Sequence, residues 1–378
     1  MEGIGLENLL SGGTVNKFPG RLAIQQRVLP IYRAPFFELL ASQCEGGVTV
    51  FSGDPLSLEG IHTKRRLLSA NYNRGKNIHF TRPSSSNYFC WQTGLVAWLE
   101  KWNPDALIVE ANPRILSTRM AISWMHLRQR PVLGWGLGAP EISNSLLNRI
   151  RKGFLESLDG IISYSARGEQ EYRNLGFTKV YTAYNAVTSK PAEEPFSRSM
   201  KLDGSPTLLY VGRLQKRKRI DVLLKACSVI PENQQPNLII VGDGPYQKEI
   251  EEIARKEYPR AQFVGSKHGN QLTPFFNQAD LFVLPGTGGL AVQQAMSHGL
   301  PIIVAEGDGT QEDLVRPGNG WLIPPEDQDT LRDVILEAIS DIPRLRKMGA
   351  ESFRIVKEEI NLEIMVEKFI EVLKGVSE

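Results

Sequence analysis

The chain has 378 residues, of which 41% are hydrophobic and 23% are charged, and its formal net charge is +2. These values are ordinary for a soluble globular protein and favour about two domains. No apolar run reaches the roughly 18 residues that a membrane span needs, and the N-terminus lacks the basic and apolar regions of a signal peptide. Three widely separated cysteines, Cys44, Cys90 and Cys227, argue against a disulfide framework or a zinc site.

The charge is divided unevenly along the chain. Residues 1–190 contain 22 basic and 14 acidic side chains, whereas residues 191–378 contain 22 and 28. A basic N-terminal half suits an anionic membrane surface or a phosphorylated acceptor, although a solvated charged face explains it equally well. We therefore expect a cytoplasmic protein, with peripheral contact at the inner face of the plasma membrane as an open option.

Strand-like and helix-like runs alternate through the first half. Amphipathic stretches at Tyr32–Ser42, Ile115–Arg128 and Ser143–Leu158 lie between apolar runs bounded by Gly or Pro. This alternation predicts a parallel sheet covered by helices, in which ligands bind at the carboxyl ends of the strands. The predicted strands are Leu22–Val28, Val48–Phe51, Ala106–Glu110, Val132–Trp135, Gly160–Ser163 and Val180–Ala183.

The second half repeats this α/β rhythm after a polar, proline-containing linker at Val187–Ser205. The last residues, from Leu362 onward, have helical spacing. Domain boundaries are predicted at 1–190 and 191–361, and the final helix (about 362–378) is expected to pack back on the first domain. The predicted strands of the second half are Thr207–Val211, Leu238–Val241, Gln262–Val264, Leu281–Leu284 and Ile302–Ala305.

Two turns in the second half suit phosphate groups. Arg213 and Lys218 follow a predicted strand, where a guanidinium and an ammonium would neutralise a diphosphate. Gly288 and Gly289 open a predicted helix, whose N-terminal N–H groups and partial positive charge favour an anion. A solvated basic turn explains the first segment on its own, but the two turns together indicate a nucleotide diphosphate.

The order of short motifs is more specific than any one of them. GRL-x3-K, VGDGP, FVG, FVLP, GGL-x3-QAMSHGLP and GNGWLIPPED follow one another within about 115 residues. This order closely resembles the C-terminal domain of the GT-B-fold retaining glycosyltransferases of the family-four group, and the N-terminal half resembles the family more loosely. The resemblance implies two Rossmann-like domains facing a cleft.

The resemblance also implies site roles. Arg213 and Lys218 would hold the donor diphosphate, and the Gly288–Gly289 turn would cradle the distal phosphate, so these four residues are predicted to stabilise the leaving group. No metal or cofactor is implied. The predicted donor-binding residues are Gly212, Val264, Gly265, Leu290, Gln294, Glu306 and Glu312.

The chain departs from the family at a pair of glutamates. Relatives carry two glutamates eight positions apart, whereas this chain has Gly286 and Gln294. Gln294 keeps the length and acceptor capacity for a ribose contact. Glu306, Asp308 and Glu312 are candidates to replace the missing first carboxylate, and lost activity is the alternative.

The acceptor side is less specific. The family places the first turn at the cleft, where Gln26, Tyr32 and Arg33 would stand and bind a sugar or a lipid-linked phosphate. Glu110 ends a neighbouring strand, and Trp135 between two glycines could stack on a sugar face. These five residues are the predicted acceptor site.

The resemblance thus implies a metal-independent, retaining hexosyltransferase that moves sugar from a nucleotide diphosphate sugar to a hydroxyl of a glycan or lipid-linked acceptor. A UDP-sugar is favoured, then a GDP-sugar, and polysaccharide or glycoconjugate synthesis is the expected setting. A non-catalytic sugar-nucleotide-binding partner and a nucleotide-sugar 2-epimerase are the alternatives. Nucleic acid binding is not expected, and Asp327-x-Asp329 is interpreted as a helix N-cap rather than a metal site.

Overall fold

The strands form two parallel sheets in the part of the chain that the computed structural model describes, which is residues 17–82, 85, 88–139, 146–202 and 204–377. The predicted α/β class is therefore confirmed. The N-terminal segment in which no signal peptide is expected, residues 1–16, lies outside the described residues. So does the start of the predicted stretch Ser143–Leu158, which is described only from residue 146. Among the described residues, no helix combines the length and apolar character that crossing a bilayer requires.

The first sheet has seven parallel strands. Its strands are β1 (Leu22–Val28), β2 (Val48–Gly53), β3 (Asn71–Arg74), β6 (Ala106–Glu110), β7 (Val132–Gly136), β8 (Gly160–Ser163) and β9 (Val180–Thr182), in the order β3-β2-β1-β6-β7-β8-β9. An antiparallel hairpin of β4 (Lys76–His79) and β5 (Cys90–Thr93) lies beside it. The helices are α1 (Ala34–Ser42), α2 (Leu95–Trp102), α3 (Thr118–His126), α4 (Leu146–Leu155) and α5 (Ala166–Asn174).

The central strand β1 is buried although it contains glutamines. Gln25 donates from its amide to Gln92 of β5, and Gln92 Nε2 donates to the carbonyl oxygen of Gln26 at 3.0 Å. Buried amides are tolerated where such bonds satisfy them. Strands β3, β4 and β5 escaped prediction because their polar sequences lack the apolar run typical of a buried parallel strand.

The second sheet has six parallel strands. They are β10 (Thr207–Val211), β11 (Asn237–Val241), β12 (Ala261–Phe263), β13 (Leu281–Leu284), β14 (Ile302–Ala305) and β15 (Gly320–Ile323), in the order β12-β11-β10-β13-β14-β15. Four of them are almost wholly apolar and buried, as the faces of a sheet covered by helices require. The helices are α6 (Ile220–Ser228), α7 (Gln247–Glu257), α8 (Thr273–Gln278), α9 (Leu290–Ser297), α10 (Thr310–Leu314), α11 (Gln328–Ser340) and α12 (Ile342–Glu358).

Each sheet reverses its strand order once. In the first sheet the reversal lies between β1 and β6, and in the second between β10 and β13. Ligands of open α/β sheets bind outside the carboxyl ends of the strands at such a switch point, because the loops on its two sides diverge and leave a crevice. The loops after these four strands are therefore the first places to look for a site.

The chain leaves the first unit after Ala183 and returns to it with the last helix, α13 (Leu362–Ser377). The first unit holds residues 17–164, 168–183 and 363–377, and the second holds residues 165–167 and 184–362. Phe369 of α13 lies with its ring 4.9 Å from Phe36 and 5.1 Å from Trp135, so this helix completes the apolar core of the first unit.

Candidate active site

Two turns of the second unit meet at the switch point of the six-stranded sheet. The backbone N–H of Thr287, after β13, donates to the carbonyl oxygen of Arg217, after β10, at 3.2 Å. Gly286 lies so close to the same basic turn that a Cβ atom there would be 2.4 Å from Arg217 O and 2.6 Å from Lys218 Cα. The basic turn and the glycine turn, distant in sequence, are thus one packed unit.

Lys218 is the buried cation of this unit. Its side chain is 7% exposed, and Nζ donates to the carbonyl oxygens of Thr287 and Gly288, each at 2.7 Å. No carboxylate lies within ion-pair distance of Nζ among the described residues. Burial, reinforced by the neighbouring Arg217 guanidinium, lowers the pKa of Lys218 to about 8. The ammonium therefore keeps one N–H for an incoming anion. A bound anion would also stabilise the protonated, charged form of Lys218.

The glycine turn presents backbone to the same place. Gly288 has φ +68°, a left-handed conformation that favours glycine, and a Cβ there would lie 3.6 Å from Lys218 Nζ. Gly289 precedes α9, and no side chain caps that helix. The start of this helix and the Lys218 ammonium thus lie together at the sheet edge, an arrangement that favours an anion.

Three further turns line the carboxyl edge of β10, β11 and β12. Gly212 N–H donates to Val241 O, and Gly242 N–H donates to Gly265 O, both at 3.0 Å. Val264 N–H bonds to Ile240 O at 3.1 Å. A Cβ built on Gly265 would meet no atom within 4 Å, so the edge is open there.

The other predicted donor residues differ in exposure. Arg213 and Glu306 are exposed, Leu290 is 37% exposed, and Gln294 is half-buried on α9. Glu312 is half-buried, and its Oε2 is enclosed without a hydrogen-bond partner. The neighbouring Asp313 also has an enclosed oxygen, Oδ2, without a partner, so both of these acids have an unused buried oxygen.

In the first unit, polar side chains gather at the switch point between β1 and β6. Glu110 ends β6, and its Oε1 accepts from the Arg27 backbone N–H at 2.6 Å. Burial raises the pKa of Glu110. The Arg27 guanidinium binds both oxygens of Glu59, at 2.6 and 3.1 Å. Gln26 is 6% exposed, and its Nε2 donates to Gln25 O at 3.3 Å.

Trp135 is a correction to the sequence interpretation. Its side chain is 1% exposed and packs among Phe36, Phe37, Tyr164 and Phe369 at centroid distances of 5.1–6.3 Å. A ring enclosed on all sides has no face to offer a sugar, so the prediction of sugar stacking is wrong.

Arg33 lies against the Trp135 ring, with its guanidinium carbon 4.8 Å from the ring centroid. The guanidinium is also 5.3 Å from the Tyr164 ring and 5.5 Å from the Tyr32 ring. Tyr32 itself is 42% exposed. Of the predicted acceptor residues, Arg33, Tyr32 and Glu110 thus cluster near one strand end, with Trp135 behind them.

Among the described residues, Asp327 serves as a helix cap rather than as part of a metal site. Within the described part of the chain, no group of His, Cys, Asp and Glu is arranged to hold a metal ion. Asp327 accepts from the Thr330 N–H at 2.9 Å at the start of α11, so its interpretation as an N-cap is confirmed.

Comparison with known proteins assigns the second unit. Residues 192–354 match the family model described as glycosyl transferases group 1, and this segment contains Lys218, Gly288 and the turns around them. This segment of the chain belongs to glycosyl transferases group 1. This agrees with the resemblance that the motif order indicates.

Curated relatives of the chain align over part of their length. A GDP-mannose-dependent monoacylated alpha-(1-6)-phosphatidylinositol monomannoside mannosyltransferase of Corynebacterium glutamicum is 30% identical over 184 residues, which is 46% of the chain and 48% of the relative. A GDP-mannose-dependent alpha-mannosyltransferase of Mycobacterium tuberculosis is 29% identical over 179 residues, or 44% of each. The chain thus matches about half the length of these curated relatives.

Solved structures show the fold over 94% of the chain. Sucrose-phosphate synthase of Thermosynechococcus elongatus superimposes with a TM-score of 0.68 at 19% identity, covering 94% of the chain and 98% of that structure. HepE of Anabaena in complex with UDP superimposes with a TM-score of 0.69 at 15% identity, covering 94% and 99%. The fold is that of the GT-B glycosyltransferases.

The geometry explains one departure from the group 1 pattern. Gly286 stands where the motif comparison expects the first glutamate, and no side chain fits there because the Arg217–Lys218 backbone fills the space. At position 286 the loop therefore packs directly onto the basic turn, in the space that a carboxylate side chain would need.

Sequence reasoning missed two residues that shape these sites. Gln293 of α9 is 1% exposed; its Oε1 accepts from Val187 N–H and Thr188 N–H at 2.7 and 3.1 Å, and its Nε2 donates to Ile360 O at 2.7 Å. The second missed residue is Arg27, which was predicted only as part of a strand and not as the partner of Glu59. A glutamine at an apolar helical position was the available signal for Gln293, since a buried amide needs partners.

Proposed function

We propose that this protein transfers a hexose from a nucleotide diphosphate sugar to a hydroxyl group of a glycan or lipid-linked acceptor. The observation that carries the proposal is the buried Lys218 ammonium, which lacks a carboxylate partner among the described residues and touches the Gly288 turn at the switch point. A buried cation is costly unless an anion joins it, and a diphosphate supplies that anion.

The leaving group explains how such a site accelerates transfer. Breaking the bond between sugar and phosphate leaves developing negative charge on the diphosphate, which Lys218, Arg213 and the start of α9 would stabilise. Preorganised charge of this kind is often the largest catalytic contribution. We propose retention at the anomeric carbon, with the leaving phosphate taking the acceptor proton and with no metal ion.

Relatives guide the choice of donor. Those reported above are named GDP-mannose-dependent enzymes, whereas the HepE structure contains UDP. Because the curated relatives share more sequence with the chain, GDP-mannose is the first donor to test, ahead of the UDP-sugars that the motifs alone favoured. The second unit is proposed to bind the donor, and the first unit is proposed to bind the acceptor. A lipid-linked acceptor would lie at the cytoplasmic side of a membrane and would meet the basic surface of the N-terminal half.

A thermal-unfolding panel of UDP, GDP, ADP and their sugars tests donor binding. A ligand at 100 times its Kd should add about 2.7 kcal/mol to the free energy of unfolding. Release of free nucleoside diphosphate from the bound donor, with or without an acceptor, tests turnover. No stabilisation by any nucleotide would remove the proposal.

A non-catalytic sugar-nucleotide-binding protein is the second candidate, and Gly286 favours it because no acid can occupy that position. Tight nucleotide binding with neither transfer nor donor hydrolysis would support this candidate. Slow hydrolysis of the donor would exclude it.

A further inference from the structure

Arg33 in the first unit is a buried cation without a hydrogen-bonding partner. Its side chain is 7% exposed, and Nη1 is fully enclosed with nothing to receive its N–H groups. Among the described residues, no carboxylate lies within ion-pair distance of the guanidinium. An unpaired buried charge is strongly unfavourable, so its presence requires compensation.

Three aromatic rings supply part of that compensation. Trp135, Tyr164 and Tyr32 lie 4.8, 5.3 and 5.5 Å from the guanidinium carbon. Cation–π contacts use the face of the guanidinium and leave its N–H groups, which point outward in the plane, without acceptors. The three rings therefore orient the guanidinium but provide no hydrogen-bond acceptors for its N–H groups.

Glu110, the acid whose titration Arg33 affects, already has a hydrogen-bond partner. Glu110 is close enough for the Arg33 charge to affect its titration, but its carboxylate accepts from the Arg27 N–H at 2.6 Å. Arg27 in turn is paired with Glu59. The local carboxylates thus have partners of their own, and Arg33 remains available.

A second positive element starts at Arg33. The nine-residue helix α1 begins at the next residue, no side chain caps it, and Pro35 lies in its first turn. The Ala34 N–H already donates to Ile31 O and Pro35 has no N–H, so the start of α1 contributes its partial positive charge rather than free donors. A guanidinium fork beside a helix N-terminus is suited to the tetrahedral oxygens of a phosphate.

Resting on the proposed sugar transfer, we propose that Arg33 and the N-terminus of α1 bind a phosphate group of the acceptor, as a phosphomonoester or phosphodiester. The half-exposed Tyr32 ring covers the guanidinium, and its rotation opens Nη1 to the ligand. Trp135 and Tyr164 form the fixed wall. The acceptor is thereby an anionic molecule.

Phosphate titration of the full chain tests the site. The protein is first saturated with the nucleoside diphosphate that stabilises it best, so that phosphate cannot report on Lys218. Inorganic phosphate should then raise the unfolding temperature above that in chloride of equal ionic strength. Arg33→Gln should weaken phosphate binding about tenfold or more, since a charge-assisted hydrogen bond is lost. An equal response of wild type and Arg33→Gln would overturn the proposal.

Two variants guard against a folding defect. Arg33→Lys keeps the charge and should retain part of the phosphate response, whereas Tyr32→Ala removes only the exposed cover and should leave phosphate binding intact or tighter. If Arg33→Gln does not fold, the wild type alone decides. Equal unfolding temperatures of the wild type in phosphate and in chloride would then overturn the proposal.

Further arms separate the phosphate sources and the two proposals. If glycerol phosphate and phosphatidylglycerol vesicles both bind through Arg33, while phosphatidylcholine vesicles do not, the ligand is a lipid headgroup; if only glycerol phosphate does, it is a soluble phosphate. If no nucleotide binds, the donor proposal fails, and titration of Lys218→Ala with phosphate still tests Arg33 by itself.

Discussion

Lys218 Nζ lies 2.7 Å from the carbonyl oxygen of Gly288, a residue 70 positions away in the sequence. The same ammonium also binds Thr287 O, so one buried cation holds the end of the glycine turn in place. This contact joins the two strongest phosphate signals of the sequence. It makes Lys218 both a structural residue of the loop and the cation of the proposed donor site.

Replacing Lys218 by Ala should lower turnover of the donor about 100- to 1,000-fold, since removing one charge-stabilising donor commonly costs about 2.7–4 kcal/mol. Steady-state kinetics and nucleotide titration measure the effect. Lys216→Ala is the matched control, because that side chain is 75% exposed and pairs with Glu249 at 3.4 Å. Lys216→Ala should stay within about twofold of wild type, since exposed ion pairs contribute little. Similar losses in both variants would indicate general electrostatics rather than the Lys218 site.

Donor affinity should fall as the pH rises through about 8. Burial depresses the pKa of Lys218 from its ordinary value near 10.5 to about 8, so the free protein loses this charge above pH 8, and binding a diphosphate must restore it. Calorimetry near pH 8 in buffers of different ionisation enthalpy should therefore show proton uptake on nucleotide binding. Lys218→Arg should remove the uptake, because arginine stays charged. Proton release in the wild type would contradict the assignment.

Gly286→Ala should destabilise the second unit by about 2 kcal/mol or more, because its Cβ would overlap the Arg217–Lys218 backbone, which cannot move without opening the loop. Chemical unfolding measures this change. Gly318→Ala is the control: it is exposed, and its Cβ would meet only Glu351 Cγ at an ordinary 3.5 Å. Gly286→Glu should not restore a family-like acid, and a stable, more active Gly286→Glu protein would show that the loop closure seen here is wrong.

The neighbouring glutamines Gln293 and Gln294 should separate stability from binding. Gln293→Leu leaves two backbone N–H groups and one carbonyl buried without partners, which should cost about 3 kcal/mol or more in unfolding free energy. Gln294→Leu, on a half-buried side chain, should change that free energy by less than about 1 kcal/mol. Gln294→Leu should instead raise the KM for the donor if the predicted ribose contact exists. An unchanged KM would remove that contact while leaving the Gln293 prediction untouched.

Periodicity identified the buried strands because their signal is local. Runs such as Leu208–Val211 and Leu281–Leu284 are apolar on both faces, which is what a sheet covered by helices demands. Strands β3, β4, β5 and β15 were not predicted. The first three are polar, and β15 has only three apolar residues between Gly320 and Pro324, so pairing with neighbours rather than composition makes them strands.

The sequence by itself determined the α/β class and the order of the motifs that resemble the group 1 family. It also predicted a phosphate site at the Lys218 and Gly288 turns, since glycine, charge and strand ends are local features. Tertiary structure alone decided which of them touch. It buried Trp135 behind Arg33 and closed Gly286 onto Lys218. Burial and close approach depend on residues far apart in the chain, and these long-range contacts are what turn an exposed-looking aromatic into core and an apparent filler glycine into a packing requirement.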